Sequence, residues 1–314
     1  MSHSSLGTGL LVAATVFGLI GAILLSVSFA TDHWTEVAVN VSALGIETRT
    51  ARVADPSVGR HITDRHSGMW RECYPGRDTQ FLENLANYEP ELIDKYCFFV
   101  KYNIPEERNN NDWSNDYLSR IHLLRCWMAF FIVALVVFLV AYIFGLVLCC
   151  WRQSKWAYIA GLCAYIAAFS TAASIAFFHG AEYLERNKIL DEDPYTGKFW
   201  YNWPSEVQSA TDREYGYSYI IGWLAMFFAA LTATFYSIAG CYIGEERYQD
   251  RDYYDKHSRS HEYLDRSYPM PLEPPYKEQY YGYPQQGPYL YDMDARQPLP
   301  AIQYGPEPAA YRWG

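Results

Sequence analysis

Long apolar runs alternate with long polar segments along this chain. Four runs contain no Asp, Glu, Lys or Arg, and they cover residues 6–31, 126–151, 156–181 and 215–244. Each run exceeds the roughly 20 residues that an α-helix needs to cross the hydrocarbon core of a bilayer. The pattern therefore predicts a membrane protein with four transmembrane helices.

The polar segments predict folded structure outside the membrane. In the loop of residues 32–125, apolar and polar side chains alternate from Trp34 to Val41, which is typical of a half-buried strand. Further strands are predicted at Ile46–Val53 (as its hairpin partner), Gly68–Cys73 and Cys97–Tyr102. Short helices are predicted within Asp78–Tyr96, and a helix from Trp113 to Arg125 is expected to continue into the second span. We expect the loop to be a small sheet with helical insertions.

A shorter polar loop, residues 182–214, separates the third and fourth apolar runs. Its aromatic stretch Phe199–Pro204 is expected to pack on the sheet of the first loop. The second and third runs are joined only by Arg152, Gln153, Ser154 and Lys155, and two basic residues in so short a loop indicate the cytoplasmic side. We therefore expect both termini in the cytoplasm and both long loops outside the cell, in the plasma membrane.

The last part of the chain has a different composition. Residues 245–314 contain 13 Tyr and 10 Pro and show almost no aliphatic periodicity. Such a segment buries too little apolar surface to offset the entropy of ordering, so it is predicted to be a disordered cytoplasmic tail. Its tyrosines and proline stretches suggest cytoplasmic tyrosine- or proline-reading modules as partners.

The seven cysteines divide between the two sides of the membrane. Cys73 and Cys97 are the only ones in the external segments, and thiols in an oxidising compartment are expected to form a disulfide. Cys149 and Cys150 lie at the predicted cytoplasmic membrane surface, where reversible palmitoylation is a candidate modification. The chain has no C-x-x-C pair, so we predict no metal site.

Two further positions are candidate sites. Asn40 begins the sequence Asn-Val-Ser on the polar face of the first predicted strand, where a glycan would be tolerated. Arg125 precedes the second span, and it is expected either to pair with an external carboxylate or to extend towards the lipid headgroups.

Composition argues against catalysis. The sequence contains no Ser/His/Asp set, no zinc-type cluster and no phosphate-binding Gly loop, so we expect no enzyme and no cofactor. Residues 31–120 and 182–216 carry 23 carboxylates against 14 Lys and Arg, an acidic balance that suits cations or basic partner surfaces. Nucleic acid is not an expected partner.

Several short motifs resemble one known family. The order of these motifs is similar to the pattern of the claudin superfamily. It consists of a Trp in the first loop (Trp34), then Gly68-Met69-Trp70, paired cysteines (Cys73 and Cys97) and an Arg that enters the second span (Arg125). Within this superfamily, the local sequence most resembles that of calcium-channel gamma subunits and transmembrane AMPA-receptor regulatory proteins. The resemblance lies in the segments Thr31–Trp34, His66–Cys73, Leu118–Arg125 and Tyr217–Tyr219.

The resemblance implies a membrane α-helical fold: residues 1–244 would form a left-handed four-helix bundle capped by a small antiparallel β-sheet. It also implies that Trp34 and Trp70 pack the sheet on the bundle and that the cysteines link neighbouring strands. Met69 replaces the usual Leu, and the two cysteines lie further apart than is typical of the gamma branch.

The expected function is that of a non-catalytic auxiliary subunit, which alters gating or trafficking of a voltage-gated calcium channel or an ionotropic glutamate receptor. Its partner would be a pore subunit in the same membrane, and its location would include the synapse. The alternatives are a claudin-like adhesion or barrier protein, which contacts itself or other claudin-like proteins at cell junctions, and contact-dependent signalling through the tail.

Overall fold

Four long helices make up most of the fold. The computed structural model describes residues 3–54, 56–75, 83, 92–94, 97–104, 113–193 and 197–266. The long helices are α1 (His3–Ala30), α4 (Asn115–Cys150), α5 (Ser154–Asn187) and α7 (Tyr217–Arg266), and short helices are α2 (Ile46–Ala54), α3 (Pro56–His61) and α6 (Ser205–Ala210). The four long ones are long and apolar enough to cross a membrane, which confirms the prediction of four spans.

The chain divides into two compact units, residues 1–260 and residues 261–314. In the second unit the structure describes only residues 261–266, the last residues of α7. All contacts and sites described below lie in the first unit.

Small residues let the long helices approach each other closely. Ala14, Gly18 and Ala22 of α1 are buried, as are Ala160, Ala164 and Ala168 of α5. A Cβ added at Gly161 would lie 2.7 Å from the Ser237 hydroxyl of α7. Because lipid is as apolar as the side chains, helices in a membrane associate through this kind of close packing.

The second span begins as a helix well before its apolar run. Ser114 caps α4, since its hydroxyl accepts a hydrogen bond from the Tyr117 backbone N–H at 3.2 Å. Such a cap satisfies one of the free N–H groups at a helix N-terminus. The prediction that a helix from Trp113 to Arg125 continues into the second span is therefore confirmed to within two residues at its start.

A six-stranded sheet lies at one end of the bundle. Its strands are β1 (Thr35–Val39), β2 (Arg65–Ser67), β3 (Arg71–Cys73), β4 (Leu92–Asp94), β5 (Cys97–Phe99) and β8 (Thr211–Tyr215), and a two-stranded sheet contains β6 (Glu192–Asp193) and β7 (Gly197–Lys198). The order in the larger sheet is β4-β5-β3-β2-β1-β8, and every pair is antiparallel. Strand β1 alternates as predicted, with Val37 buried and Glu36 exposed, but it ends at Val39, and the predicted last residue, Val41, begins a 3₁₀ turn (Val41–Ala43).

Other strand predictions need correction. Ile46–Val53 is not the hairpin partner of β1, because this segment forms helix α2, and β1 pairs instead with β2 and β8. The strand predicted at Gly68–Cys73 is confined to Arg71–Cys73, and the one at Cys97–Tyr102 is confined to Cys97–Phe99. The helices predicted in Asp78–Tyr96 fall mostly outside the described residues, and the part described at Leu92–Asp94 is strand β4.

Two helices are longer than predicted. Helix α5 continues to Asn187, six residues into the segment that we predicted as the second loop. Helix α7 continues to Arg266, beyond residue 244, where we predicted that a disordered tail begins. No Gly or Pro interrupts residues 245–266, and Asp252 pairs with Lys256 one turn later at 2.9 Å, an arrangement that favours helix. Residues 267–314 lie outside the described part of the chain.

Candidate functional site

The sheet meets the bundle around Trp34. This side chain is completely buried, and its indole N–H donates to the Ser28 carbonyl at 3.0 Å. Rings from two helices surround it edge-on: Trp127 of α4 at 5.0 Å between centroids, Phe131 of α4 at 5.7 Å and Phe178 of α5 at 5.3 Å. Trp34 immediately precedes β1, so its burial joins the sheet to two of the long helices.

The second tryptophan of the motif, Trp70, contacts α1. Its indole N–H donates to the Phe29 carbonyl at 3.0 Å, and its ring stands edge-on to the Phe29 ring at 5.1 Å. Met69 beside it is completely buried in the same core as Trp34. The two adjacent residues therefore fasten the turn between β2 and β3 to the bundle.

Gly68 allows this turn to approach the end of α1. A Cβ at this position would lie 2.6 Å from the Asp32 Cα and 2.8 Å from the Thr31 carbonyl oxygen, both backbone atoms that cannot move aside cheaply. The contact is reinforced by Arg71, whose guanidinium lies 2.6 Å from the Asp32 carboxylate. Close backbone approach thus accounts for a residue without a side chain here.

The disulfide links neighbouring strands. Cys73 of β3 and Cys97 of β5 lie directly opposite each other in the sheet and are bonded. Arg125 of α4 donates to the Tyr102 carbonyl at 2.8 Å, and the Tyr102 hydroxyl in turn donates to the Met69 carbonyl. This hydrogen bond ties the chain after β5 to α4, and the contact of Arg125 with an external carboxylate or with lipid headgroups stays a prediction.

Several of the segments that resemble the gamma branch also meet here. The His33 ring stacks on the His66 ring at 4.0 Å and on the Tyr217 ring at 4.6 Å. The Ser218 hydroxyl lies 2.7 Å from the Thr31 hydroxyl and accepts a hydrogen bond from the His33 backbone N–H at 3.1 Å. Segments far apart in the sequence thus form one contact between α1, the sheet and the start of α7.

An ionic cluster that we did not predict lies between the sheet and the helices. Arg213 of β8 reaches two carboxylates of α5, Glu182 at 2.6 Å and Glu185 at 2.7 Å, and Arg120 of α4 reaches Glu185 at 2.7 Å. The side chain of Arg213 is only 9% exposed. Burial alone would lower the pKa of Arg213, but the Glu182 and Glu185 carboxylates hold that pKa above its ordinary value.

The sequence contained one sign of this cluster. Glu182 and Glu185 are three residues apart, so they lie on one face of any helix that continues past the third apolar run. Nothing local to Arg213 indicates its partners, since β8 reaches them only through its pairing with β1.

A second group of side chains lies where α5 and α7 emerge towards the sheet. His179 Nε2 lies 3.0 Å from the Tyr219 hydroxyl, and His179 Nδ1 lies 3.4 Å from the Tyr215 hydroxyl. Tyr215 stacks on Tyr219 at 4.5 Å, and Trp223 follows one turn later on α7. Tyr215 and Trp223 are 40% and 41% exposed. We call these four residues, His179, Tyr215, Tyr219 and Trp223, the lateral aromatic face.

The predicted modification sites are exposed. The Asn40 side chain lies at the end of β1 and accepts a hydrogen bond from the Ser42 hydroxyl, and its glycosylation stays a prediction. Cys149 and Cys150 are exposed at the end of α4, and their palmitoylation stays a prediction as well.

A cavity of about 170 Å³ lies under the sheet, and Arg213, Glu182 and Trp34 are among the residues that line it. Within the described ranges, no three His, Cys, Asp or Glu side chains are placed to hold a metal ion.

Comparison with known proteins gives one result. The sequence model of the family described as PMP-22/EMP/MP20/Claudin tight junction matches residues 19–238, which include the six-stranded sheet, all of α4 and α5, the end of α1 and the first part of α7. A search of curated protein sequences finds no match.

Proposed function

Because the chain belongs to the PMP-22/EMP/MP20/claudin family, we propose that it is a non-catalytic, gamma-type auxiliary subunit of an ion channel or receptor. Its partner is the pore subunit of a voltage-gated calcium channel or an ionotropic glutamate receptor in the same membrane, and its effect is on gating or trafficking. The motif segments shared with the gamma branch support this partner class, since they form one contact at the base of the sheet.

The observation that carries the proposal is the lateral aromatic face. Its histidine and two tyrosines are linked by hydrogen-bond distances, and its members come from α5, from the end of β8 and from the first turns of α7. Ionisable and polar side chains at membrane depth generally serve contacts or function, because lipid offers them no partner. Exposed aromatic anchors such as Trp223 are also the side chains that contribute most to protein interfaces.

The test is affinity purification of the tagged protein from mildly solubilised native membranes, with quantification of the co-purifying chains. We expect a calcium-channel or glutamate-receptor pore subunit at near-stoichiometric amount. Trp223→Ala should reduce its recovery about tenfold or more, as expected for an anchor residue at an interface.

The matched control is Trp151→Ala. Trp151 is 66% exposed and lies at the opposite end of the bundle, so its replacement should leave recovery unchanged. Equal surface delivery of both variants, measured by surface biotinylation, separates loss of contact from misfolding. Recovery of only the protein itself and junctional adhesion proteins would contradict the auxiliary role.

A second candidate function is a claudin-like barrier or adhesion protein at cell junctions. The family description names the tight junction, and the external segments carry an excess of nine negative charges, which would favour cations in a paracellular path. Accumulation of the protein at contacts between two expressing cells, and not where an expressing cell meets a non-expressing one, would favour this role.

A further inference from the structure

The end of the bundle opposite the sheet brings together basic residues from separate elements. Arg152 lies in the turn between α4 and α5, Lys155 lies in the first turn of α5, and Arg247 lies on α7. The Arg247 guanidinium donates to the Arg152 carbonyl, and the Arg152 guanidinium donates to the Thr8 hydroxyl of α1 at 2.7 Å. The tertiary structure therefore places three cations at the meeting point of all four long helices.

The positive charge of this basic cluster, Arg152, Lys155 and Arg247, is not neutralised by an ion pair. All three side chains are exposed, and within the described residues none of them forms a salt bridge with a carboxylate. Glu245 and Glu246 adjoin Arg247 on α7, but neither forms an ion pair with the cluster in the part of the chain that is described. Positive charges from neighbouring elements that no carboxylate pairs favour binding of an anion.

The position of the cluster relative to the membrane indicates which anion. Trp151 immediately precedes Arg152 and is 66% exposed, and Trp156 follows Lys155 at the start of α5. Tryptophans at helix ends mark the level of the lipid headgroups. Because the disulfide requires the sheet to face an oxidising compartment, this end faces the cytoplasmic leaflet, which contains the anionic lipids.

We propose that the basic cluster binds the headgroup of an anionic phospholipid of that leaflet. The two guanidinium groups contact the phosphate, since the planar donors of arginine suit phosphate oxygens. Lys155 adds a point charge at the edge of the site. The bound lipid joins the α4–α5 turn to α7 and α1 at the end of the molecule where no sheet holds the helices together.

The experiment measures the thermal unfolding of the full-length protein in a neutral detergent. The probes are dioctanoyl phosphatidylserine, dioctanoyl phosphatidylcholine and inorganic phosphate, at equal ionic strength. A ligand that binds only the folded state raises the unfolding temperature. We expect phosphatidylserine to raise it with a saturable dose dependence and the other two probes to have little effect at the same concentration. An equal effect of phosphatidylcholine or of inorganic phosphate would overturn the assignment.

Variants locate the site. Each removed charge should weaken phosphatidylserine binding about fivefold, so Arg152→Gln with Arg247→Gln should weaken it about 25-fold. Lys256→Gln is the control: it removes a charge from the same helix, nine residues beyond Arg247, and should change binding little. If the double variant does not fold, Lys155→Gln still tests the proposal, because the Lys155 side chain is exposed and forms no hydrogen bond or ion pair with another described residue. Unchanged phosphatidylserine binding in a folded cluster variant would refute the site.

Discussion

The membrane part of the molecule and the part at the sheet end are held together by different contacts. Between the long helices, glycine and alanine allow backbones to approach, as at Gly145 against Tyr236 and Gly161 against Ser237. At the sheet end, the contacts are the Cys73–Cys97 disulfide, the ionic cluster around Arg213 and the rings around Trp34.

The difference follows from the surroundings of each part. In lipid, burying an apolar side chain gains little, so close packing stabilises the helices. In water, a sheet with strands of three to five residues buries too little apolar surface to be stable alone, and it needs a covalent link and strong specific contacts. Substitutions that affect one part and spare the other test this division.

The largest expected effect is that of Arg213→Met. The variant leaves Glu182 and Glu185 buried with less positive charge, and breaking a buried ion pair in this way costs about 3–5 kcal/mol. The measurement is the free energy of unfolding in detergent, with surface delivery in cells. The control is Lys256→Met, which breaks an exposed pair with Asp252 worth about 0–1 kcal/mol. Equal effects of the two variants would contradict a structural role of the cluster.

Removal of the disulfide comes next. Cys73→Ser with Cys97→Ser opens a link between residues 24 positions apart, which should cost about 3 kcal/mol in the chain-entropy model. Circular dichroism should show that the helical signal survives while limited proteolysis cleaves the loop between α1 and α4. Loss of helical signal along with the loop would show that the bundle depends on the sheet.

Gly145→Ala tests the membrane part. An added methyl group would overlap the hydroxyl of Tyr236 on α7, and overpacking of this kind costs about 1–3 kcal/mol. Tyr236→Phe in the same chain removes that hydroxyl and should restore part of the loss. Gly9→Ala is the control, since nothing lies within 4 Å of its added carbon. A destabilisation as large in Gly9→Ala would show that helix propensity, and not packing, is being measured.

The smallest effect is a pH dependence confined to the sheet end. Burial, together with Arg65 and Arg60, lowers the pKa of His61 to about 3. The unfolded chain binds a proton at this residue near pH 6.5 and the folded chain does not, so stability falls as the pH drops below about 6.5. The unfolding temperature between pH 7 and pH 5 should therefore decline less steeply in His61→Gln than in the unchanged protein. Parallel declines would refute a contribution from His61.

The sequence alone predicted the features that depend on composition or on short spacing. Four runs without charged residues were enough to identify the transmembrane helices, and the alternation of apolar and polar residues was enough to predict strand β1. Helix α2 was missed because its stability depends on distant contacts: the Gly45 N–H donates to the Glu206 carboxylate of α6, 161 residues later. Local β-propensity is readily overridden by such contacts.

The candidate sites also divide into features that the local sequence predicted and features that depend on tertiary contacts. The disulfide followed from the cysteine count, whereas the partners of Arg213 and the lateral aromatic face did not follow from any local pattern. The long helices bring His179 of α5 beside Tyr219 of α7, and only the packing of the bundle brings these two positions together.

The pairing of β1 has a consequence for how the protein is made. Strands β2, β3 and β5 follow β1 within the first loop, but β8 is translated only after the third long helix, 172 residues after the end of β1. Until Thr211–Tyr215 emerges from the ribosome, the nascent chain exposes the open edge of β1, and Glu182 and Glu185 lack the guanidinium of Arg213. An open strand edge is a template for pairing with another chain, so such an intermediate is prone to aggregation. The sheet can therefore close only when the fourth long helix begins.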